Sequence, residues 1–217
     1  MMECVLFDLD GTIVNTNELI ISSFMHALEH NNLAPLSREQ MIPHMGTTLQ
    51  QQMRAFSGLE DVSILEKSYR AYNYEHHDEL IRAFPQVNET MEELVRLGCK
   101  LGIVTTKIRP TTLKALEMFD LLKYMDTIVT VEDVAEPKPH PEPVLTAVRN
   151  LGVDPRSTLM VGDSPVDIQS AKTAGVRVAG VAWSLKGEKT LSTYEPDYII
   201  HEMQEIIQIV EQGTNNY

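Results

Sequence analysis

Basic residues are scarce in this chain of 217 residues: 18 Lys and Arg stand against 31 Asp and Glu, giving a formal net charge of −13 and a pI near 4.9. Such an acidic surface repels a phosphate backbone, so nucleic acid is not the expected partner, and divalent cations are the better match. Cysteine is nearly absent. Cys4 and Cys99 each lie beside or inside an apolar run, which excludes a disulfide framework and predicts buried free thiols in a reducing compartment. No apolar stretch approaches the ~18 residues that a membrane span needs, and Glu3 and Asp8 come too early for a secretion signal. The expectation is a soluble cytoplasmic protein without a membrane partner. What the chain does have is 43% hydrophobic content, enough for one full core and a second small unit.

Continuous apolar runs occur at 4–7, 101–104, 128–131, 159–161 and 178–182. Runs that do not alternate predict strands covered on both faces. Helical patterns over 87–97, 111–119, 141–151 and 165–174 separate them, with Gly98, Gly152 and Gly175 as stops. Strand and helix therefore alternate, which predicts an α/β fold with a doubly wound parallel sheet. One stretch breaks the rule. From 16 to 81 the pattern is helix after helix, with Leu19, Ile20, Ser23, Phe24 and Ala27 at helical spacing and a later run from 64 to 80. The expected division is a core of residues 1–15 and 82–217 with an inserted helical unit of 16–81, hinged near Asn15 and Thr16 and again within 82–85. The polar tail after Glu211 is expected to fray.

Four places could carry chemistry. Asp8-Leu9-Asp10-Gly11-Thr12 ends the first apolar run, where open α/β sheets put their ligand sites. Gly11 permits a sharp turn, so the two acids can face a crevice; a plain turn motif is the alternative. Thr105 and Thr106, followed by Lys107, end the run at 101–104, and a hydroxyl there could donate to a phosphoryl oxygen, although Thr is common in strands. Lys138 lies in Glu136-Pro137-Lys138-Pro139-His140-Pro141, where prolines restrict a lysine that would otherwise be merely solvated. Gly162-Asp163-Ser164-Pro165-Val166-Asp167 ends another run at a helix start. Ser164 suits a cap, Pro165 the first helical position, and Asp167 a capping acid that could also support a metal. Asp163 has less structural reason and is the better metal ligand.

An acid pair, a hydroxyl, a restrained lysine and a second acid group follow one another on successive strand ends, so a parallel sheet would gather them on one edge. At this point the chain resembles the haloacid dehalogenase superfamily of phosphatases in all four motifs and in the helical cap inserted after the first. The resemblance implies a Rossmann-like core and a magnesium-dependent hydrolase. In it Asp8 is the nucleophile and forms an aspartyl-phosphate, and Asp10 is the acid–base. Mg2+ is held by Asp8, the Asp10 carbonyl and Asp163, with Asp167 supporting them. Thr105 and Lys138 hold the phosphoryl oxygens. Gly11 and Thr12 in the first loop, with Thr106 and Lys107, are candidate substrate contacts.

The cap chooses the substrate in such enzymes. The segments from Asn15 to Phe24, from His76 to Leu80, from Val104 to Lys107 and from Ala182 to Gly187 look like those of bacterial pyrophosphatases of the superfamily. This implies inorganic pyrophosphate as the small phosphorylated substrate, including that formed when the serine-phosphorylated carrier protein HPr is dephosphorylated. Phosphoglycolate phosphatase is the rival within the superfamily, and Asn15 and Thr106 depart from common patterns. A non-catalytic binding protein on the same scaffold is the alternative of another class; it would be expected to lose the nucleophile or the acid–base. Among cations for a second phosphate, Lys107 is the best placed. His76 and His77 read equally well as a surface pair ending a helix, and Trp183 as packing beside the core.

Overall fold

Residues 2–212 are described by the computed structural model. The first apolar run forms β1 (Cys4–Phe7). Its Val5 and Phe7 enter one hydrophobic cluster, while Cys4 and Leu6 enter another, so both faces of the strand are covered. The chain then makes β2 (Val14–Asn15), passes through helices α1 (Asn17–His30), α2 (Arg38–Met41), α3 (Leu49–Ser57) and α4 (Ser63–Leu80), and returns as β3 (Arg82–Ala83). Next come α5 (Val87–Arg96), β4 (Lys100–Val104), α6 (Arg109–Met118), β5 (Thr127–Val129), α7 (Glu142–Leu151) and β6 (Thr158–Gly162). The chain closes with α8 (Pro165–Thr173), β7 (Arg177–Val181), α9 (Glu188–Ser192), β8 (Tyr198–Ile200) and α10 (Glu205–Gln212).

Six strands form one parallel sheet in the order β5-β4-β1-β6-β7-β8. Helices α5, α6 and α10 supply one face's cluster through Met91, Leu116 and Ile206. Helices α7, α8 and α9 supply the other through Val144, Ile168 and Leu191. This is the α/β doubly wound arrangement expected from the alternation. Because β1 lies between β4 and β6, with Phe7 paired to both Ile103 and Val161, the residues following these three strands meet at one edge. Gly98, Gly152 and Gly175 all take positive φ, at 85°, 65° and 73°, which is why they stop helices.

The helices between 17 and 80 have a core of their own. Phe24 packs against Phe56 and Tyr69, with ring centroids 4.9 and 4.7 Å apart, and Met41, Met53 and Leu65 complete the cluster. Val14 and Asn15 pair antiparallel with Ala83 and Arg82, so the chain leaves and re-enters the sheet domain through one short ribbon. Two-residue strands have no readable periodicity, and the sequence did not announce them. Nor did it announce β8 and α10, which complete the sheet edge and one face. The run expected at 128–131 ends early, at Val129, because Thr130 starts a 3-10 turn: its N–H donates to Asp133 Oδ2 at 2.7 Å. Helix α10 continues through Glu211 to Gln212, and the remainder of the tail expected to fray lies outside the described residues. No helix among the described residues is long and apolar enough to cross a membrane. Cys4 and Cys99 are buried free thiols; burial pushes Cys4 up to about 12 and raises Cys99.

Candidate active site

Asp8 follows β1, Thr105 follows β4, and Asp163 follows β6, so the sheet register alone brings them to one crevice. Gly11 is required there for two reasons. Its φ is 81°, and a Cβ at that position would stand 2.7 Å from Asp163 Oδ2, so only glycine lets the first loop lie against the acid from β6. Carboxylate oxygens of Asp8, Asp163 and Asp167 lie within 4.8 Å of one another, all on buried residues.

Lys138 holds this cluster together. It is 1% exposed, and its Nζ donates to Asp8 Oδ1 at 2.7 Å, Asp167 Oδ1 at 2.6 Å and the Val104 carbonyl at 2.9 Å. Its three protons are thus directed to three acceptors. Burial alone would lower its pKa, but Asp167 and Asp8 outweigh that and hold it above the ordinary lysine value. Burial raises Asp8 well above the usual carboxylate range, with Lys138 opposing and Asp167 and Asp163 adding to the rise. Asp163 is raised by burial, against the pull of Lys186.

Asp167 is the capping acid expected, and it also meets the buried lysine. Its Oδ2 accepts from Ser164 N at 3.0 Å and Ser164 Oγ at 2.5 Å at the start of α8, while Oδ1 accepts from Lys138. Asp8 gives only Oδ1 to the lysine, which leaves Oδ2 outside that contact. The clustered carboxylate oxygens of Asp8, Asp163 and Asp167 form an all-oxygen donor set that suits a hard divalent cation such as Mg2+. Four carboxylates, counting Asp10, stand against the ammonium groups of Lys138, Lys107 and Lys186.

A cavity of about 830 Å³ opens between this edge and the helical unit. Asp8, Asp10, Thr105, Thr106, Lys107 and Asp163 line it from below, and Asn17, Lys67, Tyr69, Arg70 and Asn73 from the helices. Thr105 Oγ1 accepts from Lys107 N at 3.2 Å, so its own proton is free to donate. Thr106 Oγ1 donates to the Gly46 carbonyl at 3.2 Å, joining the sheet edge to the helical unit. Lys107 Nζ lies 2.9 and 3.2 Å from the two oxygens of Asp10. Gly11 N donates to the Val14 carbonyl at 2.8 Å, and neither Gly11 nor Thr12 is on the cavity wall. The first loop's amides at these two positions serve the turn.

Three further placements differ from the sequence reading. His77 is fully buried, not half of a surface pair, with Nδ1 2.8 Å from Asp78 Oδ1; burial lowers its pKa. Lys67 and Arg70 join Lys107 on the cavity wall, where the sequence reading puts only Lys107 forward. Lys186, 3.7 Å from Asp163 Oδ2, lies within the segment from Ala182 to Gly187 but has no role in the sequence reading. Trp183 packs as expected, its Nε1 donating to the Thr12 carbonyl at 3.3 Å and its ring 5.7 Å from that of Phe84.

A carboxylate clamped by a buried lysine at a parallel-sheet edge, under a helical insertion, suits a phosphatase-type hydrolase, and residues 5–181 match the haloacid dehalogenase-like hydrolase family. The chain belongs to that family. Over 207 residues it is 45% identical to the protein named Pyrophosphatase PpaX of Bacillus velezensis, covering 94% of both chains. It is 46% identical over 208 residues to that of Bacillus pumilus, covering 95% of both. Among solved structures, a predicted phosphoglycolate phosphatase from Haemophilus somnus superposes with a TM-score of 0.85 at 25% identity, over 96% of this chain and 97% of that one.

Proposed function

We propose that the protein hydrolyses inorganic pyrophosphate to two phosphates with Mg2+ as cofactor, through an aspartyl-phosphate on Asp8. The observation that carries the substrate is the likeness over nearly the whole chain, helical unit included, to relatives named pyrophosphatase. Residues 1–15 and 82–217 act as the catalytic core and 16–81 as the cap, moving on the ribbon of β2 and β3. In this reading the protein works in the cytoplasm, a reducing setting that suits its two buried free thiols. Pyrophosphate formed when HPr(Ser-P) is dephosphorylated is one source of substrate in this reading.

Mg2+ held by Asp8, the Asp10 carbonyl and Asp163 would neutralise charge on the phosphoryl group and so permit approach of an anionic nucleophile. Asp8 Oδ2 attacks phosphorus while Lys138 fixes Oδ1 and so sets the direction of attack. Asp10, in its acid form, gives a proton to the bridging oxygen, and one phosphate leaves. Asp10 then takes a proton from the water that attacks phosphorus, restoring Asp8 and releasing the second phosphate. The Thr105 hydroxyl donates to a phosphoryl oxygen throughout. Lys107 exchanges Asp10 for the distal phosphate, which frees the Asp10 carboxyl for proton transfer.

Phosphate release from pyrophosphate, phosphoglycolate, glucose phosphate and p-nitrophenyl phosphate, with and without Mg2+ and with Asp8→Asn as the blank, tests the reading. Preference for pyrophosphate that is lost in the blank and without Mg2+ is expected. The structural likeness to a predicted phosphoglycolate phosphatase favours a second reading, and preference for phosphoglycolate would replace the substrate while keeping the mechanism. No Asp8-dependent release from any compound would overturn both and return the non-catalytic binding protein.

A further inference from the structure

A lysine with a buried side chain next to a metal ligand is costly unless it has a partner or a task. Lys186 is such a residue. Its side chain is 4% exposed, and its Nζ lies 3.7 Å from Asp163 Oδ2, the oxygen toward which Gly11 is cleared of a Cβ. At that distance the ammonium acts on the carboxylate through charge, without a locked hydrogen bond.

The segment carrying Lys186 is tied to two of the site's loops and to the helical unit. Trp183 Nε1 donates to the Thr12 carbonyl in the first loop at 3.3 Å. Ser184 Oγ donates to the Asp163 carbonyl at 2.6 Å and accepts from Lys186 N at 3.1 Å. Leu185 packs into the core of the helical unit. Four consecutive residues thus touch the nucleophile's loop, the backbone of an acid, the helical unit, and the side chain of that same acid.

We infer that Lys186 is a positioning residue that competes with the divalent cation for Asp163 and thereby weakens metal affinity. It holds Asp163 Oδ2 in place while no cation is there, and it opposes the cation by like charge once one enters. This rests on the magnesium reading given above. A purely packing role predicts that any well-packed replacement leaves cation affinity unchanged; a charge role predicts that affinity follows the charge at this position.

The test is calorimetric titration of the chelator-stripped full-length protein with Mg2+ alone, on wild type, Lys186→Met, Lys186→Gln and Lys186→Arg, with circular dichroism as the check on folding. Both neutral variants should bind Mg2+ about tenfold more tightly, the scale of one unit charge acting in a partly solvated site, and Lys186→Arg should stay within about twofold of wild type on the same grounds. If Lys186→Met does not fold, Lys186→Gln decides the matter. Neutral variants that bind as wild type does, or more weakly, would overturn the inference and leave the magnesium reading intact. Wild type that binds no Mg2+ would overturn both.

Discussion

Replacing Lys138 with methionine should do more than destabilise the protein: it should reverse the sign of a second substitution nearby. In the native site the Lys138 ammonium lies 2.7 Å from Asp8 and 2.6 Å from Asp167, and all three side chains are almost wholly buried. Removing one partner of a buried pair costs about 3–5 kcal/mol, because the remaining charge loses its compensation. Asp167→Asn alone is therefore expected to cost roughly 3 kcal/mol, although its carbonyl oxygen can still accept from Ser164. Without Lys138 the balance changes. Carboxylate oxygens within 4.8 Å of one another repel by at most about 3 kcal/mol per ionised pair at an effective dielectric constant of 20, and less as Asp8 and Asp163, raised further without the lysine, take up protons. Asp167→Asn now removes repulsion, or the cost of that protonation, from both. In the Lys138→Met background Asp167→Asn should stabilise. Urea unfolding at neutral pH with chelator present, fitted for all four proteins of the cycle with a shared m-value, reads the effect directly. If Asp167→Asn destabilises equally in both backgrounds, the lysine is not the element that balances this acid cluster and the electrostatic account of the site is wrong.

Other expectations follow from single contacts. Lys107→Ala should raise KM for pyrophosphate while changing KM for p-nitrophenyl phosphate little, since only the former has a distal phosphate to draw the ammonium from Asp10; an unchanged KM for pyrophosphate would remove Lys107 from substrate binding. Gly46→Ala places a Cβ 2.9 Å from the Ser164 side chain at a φ of 100°. It should therefore cost about 1–3 kcal/mol in thermal unfolding, and lower kcat, as the helical unit is held off the sheet edge. Cys4, with a pKa pushed up to about 12, stays a neutral thiol when folded and ionises near 9 when unfolded. Its contribution is present below pH 9 and is lost as pH rises toward 12. The alkaline fall in stability should be shallower in Cys4→Ala by up to about 1.4 kcal/mol per pH unit, which chemical denaturation from pH 8 to 11 would measure.

The chemistry of this chain was readable where an apolar run ends in a polar residue, because a parallel sheet converts that local pattern into a common edge. Asp8, Thr105 and Asp163 are of this kind, and Lys138 was singled out by its prolines. The role of Lys186 was not readable, although its segment was noted: it reaches Asp163 from a loop after β7, across a distance in sequence that no spacing rule covers. His77 misled for the opposite reason. Its polar neighbours His76, Asp78 and Glu79 suggested a solvated face, but helical rotation turns this one position inward. Strands of two or three residues, such as β2, β3 and β8, offer too few positions for a period to show, and only tertiary pairing defines them.

The ribbon of β2 and β3 also bears on how the chain folds. Strand β1 pairs with β4 on one side and β6 on the other, so its partners lie on the far side of the helical insertion, and closing that long loop in an unfolded chain delays the first strand pairing. If helices α1 to α4 collapse around Phe24 first, Val14 and Asn15 are delivered beside Ala83 and Arg82. The insertion then behaves as a short turn in the path between β1 and β4. An element placed over the active site would in this way speed the assembly of the sheet on which that site depends.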